Sequence, residues 1–269
     1  MVPSEVIAAP RTLFDASGMR DFVARSPVLV AARDRAAWVE LFCPDATVED
    51  PVGTRPANGR DEIGRFWDTF IASTDIVFDV HADLVGGPFV FRDVTINTTL
   101  DGSVKIAVPA HLVYELSDTD ETCIRSLGAY WPLRRMIPQV LGTGLRGSAV
   151  MLRLTMRMLS NGGAGPLAGY TRGLTRGVFD GGRAAVERLL RDPEAELDRC
   201  ERVRLAWDDA TADPAGIVAQ RLRGATIETV LPSGWFVTFR YRRDDGQQGA
   251  GRIAFAGSLR RPREVLLYV

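Results

Sequence analysis

The sequence predicts an α+β chain: helices covering one face of an antiparallel sheet, then a helical linker and a second β-meander. Three observations carry this. Apolar residues recur at helical spacing up to residue 71, four consecutive segments after it have a period of two, and that period returns after residue 225. Helices followed by a run of strands place the helices on one side of a sheet, unlike an alternating α/β order.

Taken in order, residues 1–15 include Glu5 and Pro10 and are expected to be an irregular arm without the apolar stretch of a leader. Ser26-Pro27 reads as a helix start, with serine at the cap and proline in the first turn. Asp34 is placed to cap a helix whose apolar side is Trp38, Leu41 and Phe42. Residues 45–56 are extended and rich in turn formers. Ile63, Phe66, Trp67, Phe70 and Ile71 then mark the buried face of a second helix. Strands are expected at 76–80, 89–100, 103–116 and 123–131, with Asp101-Gly102 as a hairpin turn and 117–122 as a polar turn.

Residues 132–191 hold ten arginines and two acids, Asp180 and Glu187. Leu145, Ala149, Leu152, Met156 and Leu159 form one helical stripe, Arg146, Arg153 and Arg157 lie on another side, and Asn161-Gly162-Gly163 ends the helix. The glycine-rich 161–182 reads as a linker or a pair of short helices, and 183–209 as a charged helix. Strands return at 235–243, 251–258 and 264–269. Phe236-Val237-Thr238-Phe239-Arg240 loosely repeats Phe89-Val90-Phe91-Arg92, which fits either a degenerate second copy of the first sheet or merely another meander. The expected division is therefore 1–135, an arginine-rich connector at 136–209, and a C-terminal meander at 210–269.

Composition narrows the function. Hydrophobic residues make up 46% and charged residues 25%, as in an ordinary globular protein. A net charge of −1 gives no general attraction to nucleic acid, and no aromatic-interleaved basic motif is present. Cys43, Cys123 and Cys200 are far apart and read as reduced thiols, and two histidines exclude a histidine-rich metal site. Gly162-Gly163-Ala164-Gly165 follows a helix, so it is not a dinucleotide loop. No run of 18 apolar residues exists, and a cytoplasmic location is the default expectation.

Residues 34–59 carry a resemblance. Asp34-Arg35-Ala36-Ala37-Trp38-Val39-Glu40-Leu41-Phe42, then Asp45-Ala46-Thr47-Val48-Glu49-Asp50-Pro51-Val52-Gly53, resemble the helix, strand and catalytic turn of ketosteroid isomerases. Gly59-Arg60-Asp61-Glu62-Ile63 and Ile106-Ala107-Val108-Pro109 fit as well. That family is a branch of the nuclear-transport-factor-2-like superfamily, which also holds SnoaL-type polyketide cyclases, and the resemblance spans roughly residues 15–135.

It implies a cone-like sheet around an apolar pocket, with Asp50 as the general base that moves a proton beside a ketone. The implied substrate is a flat lipophilic molecule such as a 3-oxo steroid, with no cofactor and no metal. The family's tyrosine position falls on Ser26, or in a neighbouring register on Phe22, and neither is a phenol. The second donor position falls on His111, which on an alternating strand faces either the pocket or outward. Trp38, Phe42, Val52, Phe66, Trp67, Phe70, Tyr114 and Tyr130 are the expected pocket wall, though aromatics at these spacings also build plain cores. Tyr114, Tyr130 and the indoles of Trp38, Trp67 and Trp131 are the candidates to replace the missing phenol. The even positions of 104–116 are expected to form a dimer or interdomain face, giving a homodimer through the sheet. The helix at 145–159 has three readings: a surface cover with outward arginines, a contact with anionic lipid, or a site for an acidic partner. The alternatives to an isomerase are a non-catalytic ligand-binding or dimerisation module and a polyketide cyclase.

Overall fold

The computed structural model describes residues 15–117, 122–208, 210–257 and 261–268. The expected arm at 1–15, apart from Asp15, and most of the polar turn at 117–122 lie outside the described residues.

Chain order begins with α1 (Ala16–Ala32), α2 (Arg35–Glu40), β1 (Phe42–Glu49), β2 (Ala57–Asn58) and α3 (Gly59–Phe66), which runs on into a wider π-helical turn, Trp67–Ile71. β3 (Thr74–Gly86), β4 (Phe89–Leu100), β5 (Val104–Leu116) and β6 (Ile124–Tyr130) follow. Asp34 caps α2 by accepting the Ala37 N–H at 3.0 Å, as its position predicts. Ser26-Pro27 is not a helix start. Asp15 caps α1 through the Gly18 N–H at 2.8 Å, and the helix runs on past Pro27. Asp101 and Gly102 both take positive φ in the three-residue turn 101–103 that joins β4 to β5.

Next come α4 (Leu133–Leu141), α5 (Leu145–Gly162), α6 (Ala164–Thr175), α7 (Gly181–Arg191), α8 (Pro193–Asp198), β7 (Arg202–Leu205), α9 (Pro214–Leu222), β8 (Thr226–Ser233), β9 (Phe236–Arg242), β10 (Gln248–Phe255) and β11 (Pro262–Leu267). The single charged helix expected at 183–209 is broken by Asp192-Pro193, where Asp192 caps α8, and its last part is the strand β7.

The two sheets have matching topology. The first runs β2-β1-β6-β5-β4-β3, the second β7-β11-β10-β9-β8. In each, the first long strand pairs in parallel with the last, β1 with β6 and β7 with β11, and the strands between are antiparallel. The sheets meet through reciprocal close approaches. Gly87, in the β3–β4 turn, lies so near the chain after β7 that a Cβ would stand 2.2 Å from the Ala206 carbonyl oxygen. Gly234, in the β8–β9 turn, lies so near the chain after β1 that a Cβ would stand 2.7 Å from the Gly53 Cα. Both glycines also need positive φ. Such mutual contact of equivalent parts is the arrangement of an isologous interface.

This corrects the expected facing of β5. Its even residues Ile106, Val108, Leu112 and Tyr114 line the inside of the cone. Its odd residues face out. Lys105, Ala107 and Pro109 are exposed, whereas His111 and Val113 are buried under the second sheet. The even face expected to form a dimer or interdomain contact thus lines the cavity, and it is the odd, outer face that the chain's own C-terminal sheet covers at the His111 end.

The cysteine expectation is also corrected. Cys43 and Cys123 form a disulfide across a sequence separation of 80, and Cys200 is the free one. The parallel pairing of Phe42 with Ile124 brings the two together, a proximity that sequence spacing does not reveal.

Candidate functional site

The first cone encloses an apolar cavity of about 170 Å³. Its walls come from the concave sheet face, among them Phe78, Ile96, Ile106, Val108 and Leu127. Its roof comes from the connector helices: Met136 of α4, Val150, Met151 and Leu154 of α5, and Tyr170 of α6. A smaller chamber of about 70 Å³ adjoins it, with Arg55, Glu62, Arg65 and Asn161 among its lining residues. Asp50 lines both.

Asp50 follows directly on β1, where four hydrogen bonds pin the turn. Glu49 Oε1 accepts the Gly53 N–H at 2.7 Å, and the Val52 N–H donates to the Ala129 carbonyl at 2.8 Å. The Thr54 hydroxyl donates to the Pro51 carbonyl at 2.8 Å, and the Tyr170 hydroxyl donates to the Asp50 carbonyl at 3.2 Å. The Asp50–Pro51 peptide is cis. The carboxyl itself accepts the Trp131 indole N–H at Oδ1, 2.6 Å away. Burial pushes its pKa up to about 6, against the partial offset of that hydrogen bond. A carboxyl of this kind is ionised at neutral pH yet basic enough to take a proton from a weak carbon acid.

The cavity lining also holds a linked set of polar groups. The Trp38 indole N–H donates to Ser26 Oγ at 3.0 Å, and the Tyr114 phenol is hydrogen-bonded to Ser26. Burial is the largest influence on the Tyr114 pKa and raises it, and the Asp50 carboxylate adds to the rise, so the phenol keeps its proton and stays a donor. Ser26, one of the two positions where the resemblance expects a phenol, lines the cavity, and the phenol of Tyr114 from β5 sits beside it.

Several expected residues lie elsewhere. Trp38, Phe66, Phe70 and Tyr114 do line the cavity. Phe42, the first residue of β1, and Trp67, in the π-helical turn, instead pack in the core, their rings 4.7 and 5.3 Å from Trp38. Val52 and Tyr130 belong to the core between the two sheets, where Tyr130 accepts a hydrogen bond from Arg252 at 3.2 Å.

His111 requires the largest correction. It is fully buried on the outer side of β5, with Nδ1 2.8 Å from Thr238 Oγ1 and Nε2 2.9 Å from Thr229 Oγ1. Both ring nitrogens are spent on the second sheet, and the imidazole has no access to the cavity. Burial, helped by the Arg240 guanidinium, holds it neutral with a pKa down at about 3. Beside it, Asp93 and Arg240 form an ion pair at 3.0 Å, so the junction between sheets is a polar lock.

Sequence reasoning missed Tyr170, which stands over Asp50 and stacks on Phe70 with ring centres 5.5 Å apart. A signal was present. Gly165, Gly169 and Gly173 recur every four residues, a small-residue face, and α6 uses it to lie against Thr54 and Arg55. At Gly169 a Cβ would come within 2.6 Å of the Arg55 backbone nitrogen. That close approach brings Tyr170 to the turn.

Residues 20–121 match the SnoaL-like domain family. No curated protein matches the chain. Among solved structures, the epoxide hydrolase/cyclase-like enzyme SalBIII of pyran ring formation in polyether salinomycin is 24% identical, covering 44% of this chain and 92% of its own, with a TM-score of 0.40. The Δ5-3-ketosteroid isomerase from Mycobacterium sp. is 22% identical over 42% of this chain and 92% of its own, at 0.39. A Mycobacterium tuberculosis protein in complex with estradiol-17β-hemisuccinate is 21% identical over 42% and 92%, at 0.37.

Proposed function

We propose that the SnoaL-like domain of residues 20–121, completed by β6 and roofed by α4 to α6, moves a proton beside the carbonyl of a lipophilic substrate. Asp50 is the base. The observation that carries this is a carboxyl at the wall of an apolar cavity, raised to about 6 and oriented by Trp131. In its ionised form it removes a proton from the carbon next to the carbonyl and returns it to another carbon of the same conjugated system. The enolate oxygen formed between these steps needs a donor, and the Tyr114 phenol in the same cavity lining supplies it. Trp131 keeps the carboxylate aimed, and the apolar walls exclude water that would weaken both contacts.

Size sets a condition. A dry cavity near 150 Å³ holds benzene. At about 170 Å³ the cavity fits one ring, so a fused-ring guest enters with the helical roof displaced.

The test is the appearance of conjugated-enone absorbance from a β,γ-unsaturated 3-oxo steroid. Asp50→Asn is expected to lower the rate by roughly 100-fold or more, and Tyr114→Phe by about tenfold or more. A second reading, a binding domain without catalysis, is favoured by the burial of His111 away from the cavity and by serine at the tyrosine position. Saturable binding of the ketone with no turnover, unchanged by Asp50→Asn, selects it.

The C-terminal sheet is read as an internal partner for the first. Its matching strand order and the reciprocal glycine contacts support a chain that acts as its own dimer, with one site. Sedimentation equilibrium then returns the mass of a single chain. A dimer mass refutes this reading.

A further inference from the structure

The roof helix α5 is apolar on two opposite sides. At about 100° per residue, Val150, Met151, Leu154 and Met158 fall on one side, and Leu145, Leu152, Met156 and Leu159 fall within about 60° on the other. The first side is inward: Val150, Met151 and Leu154 line the cavity and Met158 is buried. The second faces solvent, with Leu145 91% exposed, Leu152 and Met156 63% and Leu159 46%. A helix apolar all round is ordinarily enclosed, so this outer stripe calls for a partner.

Charge identifies the partner. Residues 132–179, which include α4, α5 and α6, contain seven arginines and no acid. Arg153 and Arg157 are drawn to Asp101 of the β4–β5 turn. Arg135 faces Asp180 at 3.8 Å, and Arg134 lies over the Phe179 ring. Arg146, Arg172 and Arg176 are exposed. An apolar stripe bordered along one edge by Arg146, Arg153 and Arg157 suits a surface that is greasy inside and negative outside. No helix among the described residues is long and apolar enough to cross a membrane, so the contact is with the surface.

We propose that α5 docks on an anionic lipid bilayer through Leu145, Leu152, Met156 and Leu159. Docked this way, the helix whose other side roofs the cavity lies in the lipid interface. A membrane-dissolved substrate then meets the roof before it meets water. This last step rests on the cavity being a site for lipophilic ligands; the docking itself does not involve Asp50.

The test is co-sedimentation of the full chain with phosphatidylcholine vesicles, with and without phosphatidylglycerol. Binding is expected on the anionic vesicles, weak on the neutral ones, and reduced by added salt. The double variant Leu152→Ser, Met156→Ser changes exposed side chains alone and is expected to lower the partition coefficient by about tenfold or more, with its circular dichroism unchanged. Asp50→Asn is expected to bind vesicles like the parent, which separates failure of docking from failure of the proposed chemistry. Absence of binding to anionic vesicles, or equal binding by the double variant, overturns the proposal. So does a dimer in solution that the double variant disperses, because the stripe then belongs to a second copy.

Discussion

Replacing Asp50 by asparagine keeps the shape of the side chain and an oxygen to accept the Trp131 indole, but removes a titrating group. In the folded chain burial raises that group from 3.8 to about 6. The folded state therefore holds the proton more tightly than the unfolded chain does. Ionisation of Asp50 lowers stability as pH rises from about 4 to about 6, and the loss is constant above that. At about 1.4 kcal/mol per pH unit, the gap between 3.8 and about 6 amounts to about 3 kcal/mol at most. Because Asp50 is not fully sealed from solvent, about 2 kcal/mol is the working figure. The assay is urea unfolding of parent and Asp50→Asn across that range. The variant should be the more stable protein at pH 7 to 8, and its advantage should shrink toward zero near pH 4. A difference that stays constant with pH would refute the reasoning, since an unburied carboxyl contributes no such slope.

Three further outcomes are expected. Trp131→Phe removes the hydrogen bond that partly offsets burial at Asp50, so the acid limb of the pH–rate profile should move above 6, by up to about one pH unit; an unmoved limb contradicts the assigned contact. His111 behaves oppositely to Asp50: its pKa is lowered from 6.5 to about 3, so its stabilising effect is present above 6.5 and is lost as pH falls toward 3. His111→Asn should cost about 2–4 kcal/mol at neutral pH, flatten that acid dependence and leave ketone affinity unchanged; loss of binding by a folded variant would place the ring in the site after all. A chromogenic thiol reagent should find one thiol, Cys200, in the denatured unreduced chain and three after reduction, and three without reduction would deny the Cys43–Cys123 bond. Opening that bond, which spans a separation of 80, should lower stability by about 4 kcal/mol.

The local signals were strong where a residue's role depends on its neighbours in sequence. Asp34 as a cap, the Asp101-Gly102 hairpin and the aromatic face of α3 were legible because caps, turns and periodicity are short-range. Asp50 at the cavity was legible through the motif around it. Facing was not. On β5 the alternation is clear, yet which side is concave depends on the curvature of the sheet and on a second sheet more than 100 residues later. That ambiguity misplaced His111, whose two threonine partners come from β8 and β9. Ser26-Pro27 misleads because proline also suits the first turn of a helix, while the actual cap, Asp15, lies eleven residues earlier. The stripe on α5 was legible as a pattern. That it points outward follows from the helix having a second apolar side, which lines the cavity.

The central claim concerns one carboxyl, and carbon-13 NMR of the chain labelled at aspartate, with Asp50→Asn to assign the signal, measures it directly. The Asp50 carboxyl should titrate near 6 in the free protein, and the midpoint should shift when a lipophilic ketone saturates the cavity. A midpoint near 3.8 that ignores the ketone would contradict the account.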